Sequence, residues 1–175
     1  MSVQLNGYIL PDSIIDKMKR FKTSSDKANK ESCFSLCIDN QNRNVNISDK
    51  NNIITSRSPY KGKMCSSIIR PRCGHEETPV GIFRTYPREE YAKIEDKDIR
   101  IAYQYGIMCV ASQNEITCIT RKGDYDEEIN KRILLTIEQD SKLSQLHRKM
   151  SQYGDILDTH SRSKFVKLNI YKRNY

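Results

Sequence analysis

No apolar run in this chain approaches the roughly 18 residues that a membrane-crossing helix requires. Met1 to Asn6 carries no leader pattern of basic residues followed by an apolar core. These two absences set the expectation of a cytoplasmic chain without a membrane partner. There is also no Cys-x-x-Cys knuckle, Gly-rich phosphate loop, Gly-x-Ser-x-Gly elbow or His-Glu-x-x-His helix. The commonest signatures of zinc ribbons, phosphate-binding loops, serine hydrolases and zincins are therefore missing. Histidine is scarce: His75, His147 and His160 are far apart. His75-Glu76-Glu77 reads as a polar loop before Pro79, because no second imidazole lies near enough in sequence to share a metal. There is no internal repeat.

What is present is the composition of one charged domain. At 175 residues the chain is long enough to bury a core, and 37% apolar with 30% charged residues argues against disorder. The formal charge of +8 favours an acidic partner, whether nucleic acid, an anionic surface or an acidic protein. Basic residues cluster at Lys17–Lys22, Arg57–Arg72 and Lys164–Arg173. The middle cluster interleaves Arg57, Lys61, Lys63, Arg70 and Arg72 with Tyr60, so a base could stack beside a phosphate contact. Each cluster taken alone reads more readily as a solvated face, and only together do they make an electrostatic footprint. Of six cysteines, Cys33, Cys37, Cys109 and Cys118 lie in apolar runs, where a thiol acts as a small hydrophobe. Structural thiols are the expectation.

Periodicity and turn residues lay out the elements. Ser2–Leu10 reads as a strand ending at Pro11. A helix follows, with Ile14, Ile15, Met18 and Phe21 on one face, the basic residues largely on the others, and Thr23–Lys30 as a polar exit. Glu31 opens the apolar Cys33–Ile38 run, which suits a central strand. Asp39–Asn52 is a turn-rich connection around a short Val45–Ile47 strand. Short strands are expected at Ile53–Ser56 and Ser66–Arg70, then a stronger one at Val80–Tyr86. Glu95 or Asp96 caps a helix burying Ile99, Ala102 and Tyr103, and Gly106 ends it. Ile107–Thr120 reads as a hairpin placing Cys109 opposite Cys118 and Ala111 opposite Ile116, with the oxidation state of that cysteine pair left open. Asp126–Tyr153 carries a helical Ile/Leu stripe, which either packs on its own sheet or offers a surface to a partner or a second copy. Phe165–Tyr171 alternates like a half-buried edge strand.

The stretch Pro79-Val-Gly-Ile-Phe-Arg-Thr-Tyr-Pro87, followed by Glu95-Asp96-Lys97-Asp98, resembles the JAMM/MPN metallohydrolase family. The resemblance covers about residues 1–120. It implies a cytidine-deaminase-like mixed sheet flanked by helices, in the broad α/β (α+β) class, with residues 124–175 as a helix-plus-strand extension packed on a 1–123 domain. Active members hold zinc with two histidines of a His-x-His-Pro motif and an aspartate of a Ser-x-x-Asp motif, and a glutamate on an early strand activates water. On that comparison Glu31 stands at the glutamate, Arg84 and Tyr86 at the two histidines, Glu95 at the serine and Asp98 at the aspartate.

Catalytic zinc needs about three donors, and a guanidinium has no lone pair to give. The remaining carboxylates suit hydrated magnesium better. The resemblance thus implies a site without metal or cofactor and a chain without enzymatic activity. Arg84 is expected to take the vacated positive position, pairing with Asp98 and Glu31 while Tyr86 adds a hydrogen bond. The alternative is an Arg84 pointing to solvent. The expected function is an inactive JAMM/MPN-like scaffold subunit that binds a protein partner. The alternatives are a basic nucleic-acid-binding accessory protein, with Arg57, Tyr60, Lys61, Lys63, Arg70 and Arg72 as contacts, or a divalent-metal-dependent nuclease or hydrolase built on the surviving carboxylates.

Overall fold

The structure is a computed structural model, which describes residues 2–5, 7–39, 41–55, 70–85, 96–111, 115–121, 124–128, 130–131 and 168–174. It is a mixed α+β fold in which a six-stranded sheet is packed by two helices. The chain opens with β1 (Ser2–Leu5) and β2 (Tyr8–Pro11), an antiparallel pair separate from the main sheet. The single strand expected over Ser2–Leu10 is therefore a hairpin. Gly7 turns the chain at φ 88°, a conformation that costs glycine little and other residues more.

Helix α1 (Asp12–Ala28) runs through the segment expected as a polar exit loop. Its stop is Asn29 in the left-handed conformation, with Lys30 N–H donating to Ser25 O at 3.1 Å and Asn29 N–H donating to Asp26 O at 3.3 Å. That is a Schellman closure, available to Asn because its short polar side chain tolerates this region. The buried stripe is Ile15, Met18, Lys22 and Ser25, with Ile14 and Phe21 packed at its flanks. Lys22, expected on the outer faces, is instead buried and ion-paired to Asp26 one turn on.

Strand β3 (Glu31–Asp39) follows, then β4 (Val45–Thr55), β5 (Glu77–Thr85), α2 (Asp96–Tyr105), β6 (Ile107–Ala111), β7 (Glu115–Arg121) and β8 (Leu168–Asn174). The spatial order is β4-β3-β5-β6-β7-β8, with β5 and β6 parallel and every other pair antiparallel. The two short strands expected at Val45–Ile47 and Ile53–Ser56 are one strand of 11 residues. It holds together by shifting register between Cys33 and Ser35 of β3, so the polar residues between fall within the strand. The Cys109–Cys118 and Ala111–Ile116 pairings are as expected. β8 is the sixth strand, three residues later than expected and at an edge. A helical turn begins at Asp126, whose side chain caps it by accepting Glu128 N–H at 2.9 Å; most of the long helix expected from there lies outside the described residues, as does the Ser66–Ile69 part of the expected strand.

Alternation assigns the two faces of the sheet. Phe34, Leu36, Ile38, Phe83, Cys109, Ala111, Ile116 and Cys118 join Ile15 and Met18 of α1 in one core, with Phe21 stacked on Phe34 at 4.1 Å. The opposite face carries Cys33, Arg84, Val110 and Thr117 in one row and Ile82, Met108 and Ile119 in another. Arg84 bonds to α2, so this is the face α2 covers. Gly81 lies opposite Ile107 at the parallel join, where a Cβ would overlap the Ile107 carbonyl. Only glycine permits β5 and β6 to approach there.

All the described cysteines are disulfide-bonded, which corrects the expectation of thiols. Cys109 and Cys118 bond across the hairpin, their Cα atoms 4.1 Å apart, and Cys37 bonds to Cys73 at a Cα separation of 5.9 Å. Cys33 is also disulfide-bonded. Apolar surroundings suit a disulfide as well as a thiol, so hydrophobic context did not discriminate between them.

Candidate functional site

The centre of the α2-covered face is a buried ion pair. Arg84, near the end of β5, is fully buried, and so is Asp98, the third residue of α2. Arg84 Nε donates to Asp98 Oδ1 at 2.9 Å and Arg84 Nη2 donates to Asp98 Oδ2 at 2.5 Å. This two-point fit of guanidinium to carboxylate fixes orientation as well as charge. The position of Asp98 in the first helical turn adds the favourable field of the helix N-terminus. The pair ties β5 to the helix that crosses over to β6.

Glu31 is also buried, at 1% exposure. Its neighbour but one, Cys33, pairs with Arg84, so Glu31 lies on the same face and diagonal to Arg84. Long side chains reach across such a diagonal. A hydrogen-bonded chain on the other face fixes the backbone around Glu31. Ser32 N–H donates to Thr85 Oγ1 at 3.1 Å, Thr85 Oγ1 donates to Ser25 Oγ at 2.8 Å, and Ser25 Oγ donates to the Lys30 carbonyl. Lys30 and Ser32 flank Glu31, so the end of α1, the start of β3 and the end of β5 are locked where Glu31 and Arg84 project. Nothing in sequence spacing singled out Ser25 and Thr85, because a small hydroxyl in a polar run has no distinctive pattern.

The structure thus brings Glu31, Arg84 and Asp98 to one end of one face. Tyr86 and Glu95 lie outside the described residues, as do Arg57, Tyr60, Lys61 and Lys63. Arg70 and Arg72 are exposed on the segment before β5. A further buried carboxylate, Glu115, was missed by sequence reasoning. It shares the face, but β5 and β6 stand between its strand and that of Glu31. At about 4.8 Å per strand spacing the two glutamates are roughly 14 Å apart, too far to share an ion.

The donor set does not fit zinc. Both oxygens of Asp98 accept hydrogen bonds from Arg84, and the guanidinium is a permanent cation with no lone pair. Among the described residues no group of three or more His, Cys, Asp or Glu side chains is placed to hold a metal. His75 and Glu76 are exposed and lie at the opposite end of β5 from Arg84. At that end an open depression of about 400 Å³ is lined by Ile14, Val45, Asp39, Asn42, Asn44 and Glu76. Asp39 Oδ1 and Asn42 Oδ1 in its wall already accept backbone N–H groups within the β3–β4 turn.

Arg121, also missed from sequence, closes the C-terminal end of α2. Its Nη1 donates to Tyr103 O at 2.6 Å and Gln104 O at 3.3 Å, and its guanidinium lies 6.0 Å from the Tyr103 ring and 5.8 Å from the Tyr125 ring. Both ends of α2 are thus held by an arginine from the sheet. No helix among the described residues is long and apolar enough to cross a membrane. Comparison with protein families finds none that matches the chain, and no curated protein matches it.

Proposed function

We propose that this chain is a catalytically inactive JAMM/MPN-like domain that serves as a protein-binding scaffold within a larger complex. The observation that carries the reading is the Arg84–Asp98 pair. Where the resembled motif would hold zinc between a histidine and an aspartate, a guanidinium is bound at two points to the aspartate. A buried arginine supplies positive charge and bridges strand to helix, but it has no electron pair for a metal and no means of activating water. The convergence of Glu31, Arg84 and Asp98, which lie 31, 84 and 98 residues into the chain, supports the resemblance beyond any one motif.

The test is metal content and its restoration. The purified chain is expected to contain far less than one zinc per molecule, and to cleave no isopeptide-linked substrate with or without chelator. A double variant, Arg84→His with Tyr86→His, is expected to gain about one zinc per chain, measured by elemental analysis. Stoichiometric zinc in the unmodified chain, or chelator-sensitive cleavage, overturns the proposal.

A second reading, a nucleic-acid-binding accessory protein, is favoured by the +8 charge and the exposure of Arg70 and Arg72. It predicts binding to single-stranded nucleic acid that falls steeply with added salt, and that weakens when both arginines become alanine. The nuclease reading gains nothing from the geometry, because Asp98 is engaged by Arg84. A cytoplasmic location is proposed only together with a means of oxidation, since disulfides are the exception in a mesophile's cytosol and common inside hyperthermophiles.

A further inference from the structure

The disulfides differ in position and exposure, and the difference has a use. Cys109 and Cys118 are both fully buried in the core under α1. Cys37 is equally buried on β3, but Cys73 is only half-buried and sits on the irregular segment leading to β5. That segment, Arg70-Pro-Arg-Cys73, lies against β3. Arg72 N–H donates to Ser35 Oγ at 2.9 Å, Pro71 is buried, and the Cys37–Cys73 bond fastens the end. Its two arginines point outward and exposed. Cys33, Ser35 and Cys37 share one face of β3, and the strap meets that face at Ser35 and Cys37.

We infer that the Cys37–Cys73 disulfide is a redox-addressed clasp: a dithiol reductant opens it ahead of Cys109–Cys118, freeing the Arg70–Cys73 strap while the rest of the fold stands. Sulfur exchange requires a thiolate to reach a sulfur in line with the bond, and Cys73 is the more exposed residue of this pair. One thiolate of the reductant attacks Cys73 Sγ, and Cys37 leaves as a thiolate that takes up a proton. The second reductant sulfur then attacks the mixed disulfide and releases Cys73. Two electrons pass to the protein, which gains two thiols, and the dithiol becomes a disulfide. Among the described residues the strap is then held by the Arg72 N–H bond to Ser35 Oγ, by the weak contacts of Cys37 Sγ with Arg72 O at 3.8 Å and of Cys73 Sγ with Leu36 O at 3.9 Å, and by the burial of Pro71, which together are little against the entropy of a free segment. This inference does not depend on the JAMM/MPN reading.

The test uses the full chain and dithiothreitol. Samples taken over time are quenched with an alkylating reagent and mapped by mass spectrometry, and parallel samples receive a brief trypsin pulse. Cys37 and Cys73 are expected to label at least about tenfold faster than Cys109 and Cys118. The cut after Arg72 is expected to accelerate at least about fivefold in step with that labelling, while far-UV circular dichroism stays unchanged. A Cys73→Ser variant is expected to be cut at the fast rate without reductant. Simultaneous reduction of the two disulfides, loss of the dichroism signal with the first reduction, or an unchanged cutting rate at Arg72 each overturns the clasp. The kinetic labelling decides the matter on the unmodified chain even if the variant misfolds.

Discussion

Removing either Arg84 or Asp98 alone should damage this protein, and removing both should cost less than removing Arg84 alone. Arg84 and Asp98 are each fully buried and joined by two hydrogen bonds. An Arg84→Met variant leaves the Asp98 carboxylate buried without its cation, with Glu31 on the same face. Breaking a buried pair from one side typically costs about 3–5 kcal/mol. Asp98→Asn keeps one acceptor oxygen and a similar shape but strands the buried guanidinium from the other side, so its loss falls in the same range, about 3–5 kcal/mol. In the double variant no charge of the pair remains to be stranded, and apolar or neutral replacements of buried pairs are often tolerated.

Urea unfolding followed by circular dichroism reads these differences directly. With a slope of about 2 kcal/mol per molar for a chain of this size, Arg84→Met should lower the midpoint by about 1.5–2.5 M. Adding Asp98→Asn to Arg84→Met should recover part of that shift. Independent sites add to within about 0.5 kcal/mol. If the double variant loses the sum of the two single losses, or if Arg84→Met costs less than about 1 kcal/mol, the pair is not the electrostatic centre described above.

Three other substitutions probe the frame around the pair. Gly81→Ala puts a methyl into the Ile107 carbonyl, a backbone atom fixed by strand pairing, and should cost at least about 2 kcal/mol in urea midpoint or prevent soluble folding. Thr117 is fully buried and its hydroxyl has no hydrogen-bond partner among the described residues, so Thr117→Val should raise stability by about 1 kcal/mol on the same assay. Burial raises the Tyr103 phenol above its ordinary pKa of 10.0, partly offset by the hydrogen bond it accepts from Asp126 N–H. The fold therefore favours the neutral phenol, a contribution complete below about pH 10 and lost as pH climbs through the higher folded value. Tyr103→Phe should flatten the alkaline fall in melting temperature above pH 10, and an unchanged slope would show that Tyr103 does not contribute to it.

Much of the sheet was legible from local pattern, and the exceptions have identifiable causes. The hairpin register at Cys109–Cys118 follows from period-two alternation, and Ile99, Ala102 and Tyr103 of α2 follow from helical spacing with a glycine stop. The extra turns of α1 were illegible because Thr23–Ala28 has no apolar stripe: its buried position is a serine bonded to Thr85 and Lys30, and the buried residue just before it, Lys22, is a lysine neutralised by Asp26. Polar residues satisfied by particular long-range partners look like loop residues until those partners are known. β4 was split for a related reason: Asp49, Lys50, Asn51 and Asn52 read as turn formers, and they fall in the register shift between the two stretches that pair with β3. The pairing of Cys37 with Cys73, 36 residues apart, is a tertiary fact that spacing cannot supply.

The Arg84–Asp98 contact was legible for a different reason, which bears on what such a site can become. A carboxylate that enters a core between a strand end and a helix start must meet a cation there, because burying it alone costs more than a domain's usual margin of stability allows. A dication meets that need with several exchangeable ligands, and an arginine meets it with covalently tethered donors. The tethered solution keeps β5 and α2 joined at every metal concentration. It also closes both carboxylate oxygens to any incoming group. An interior arranged in this way gains a fixed geometry and loses an open coordination position. Reopening the position with histidines at 84 and 86 would therefore have to trade stability in the absence of metal for stability in its presence. The melting temperature of that double variant should rise with added zinc, while that of the unmodified chain should not move.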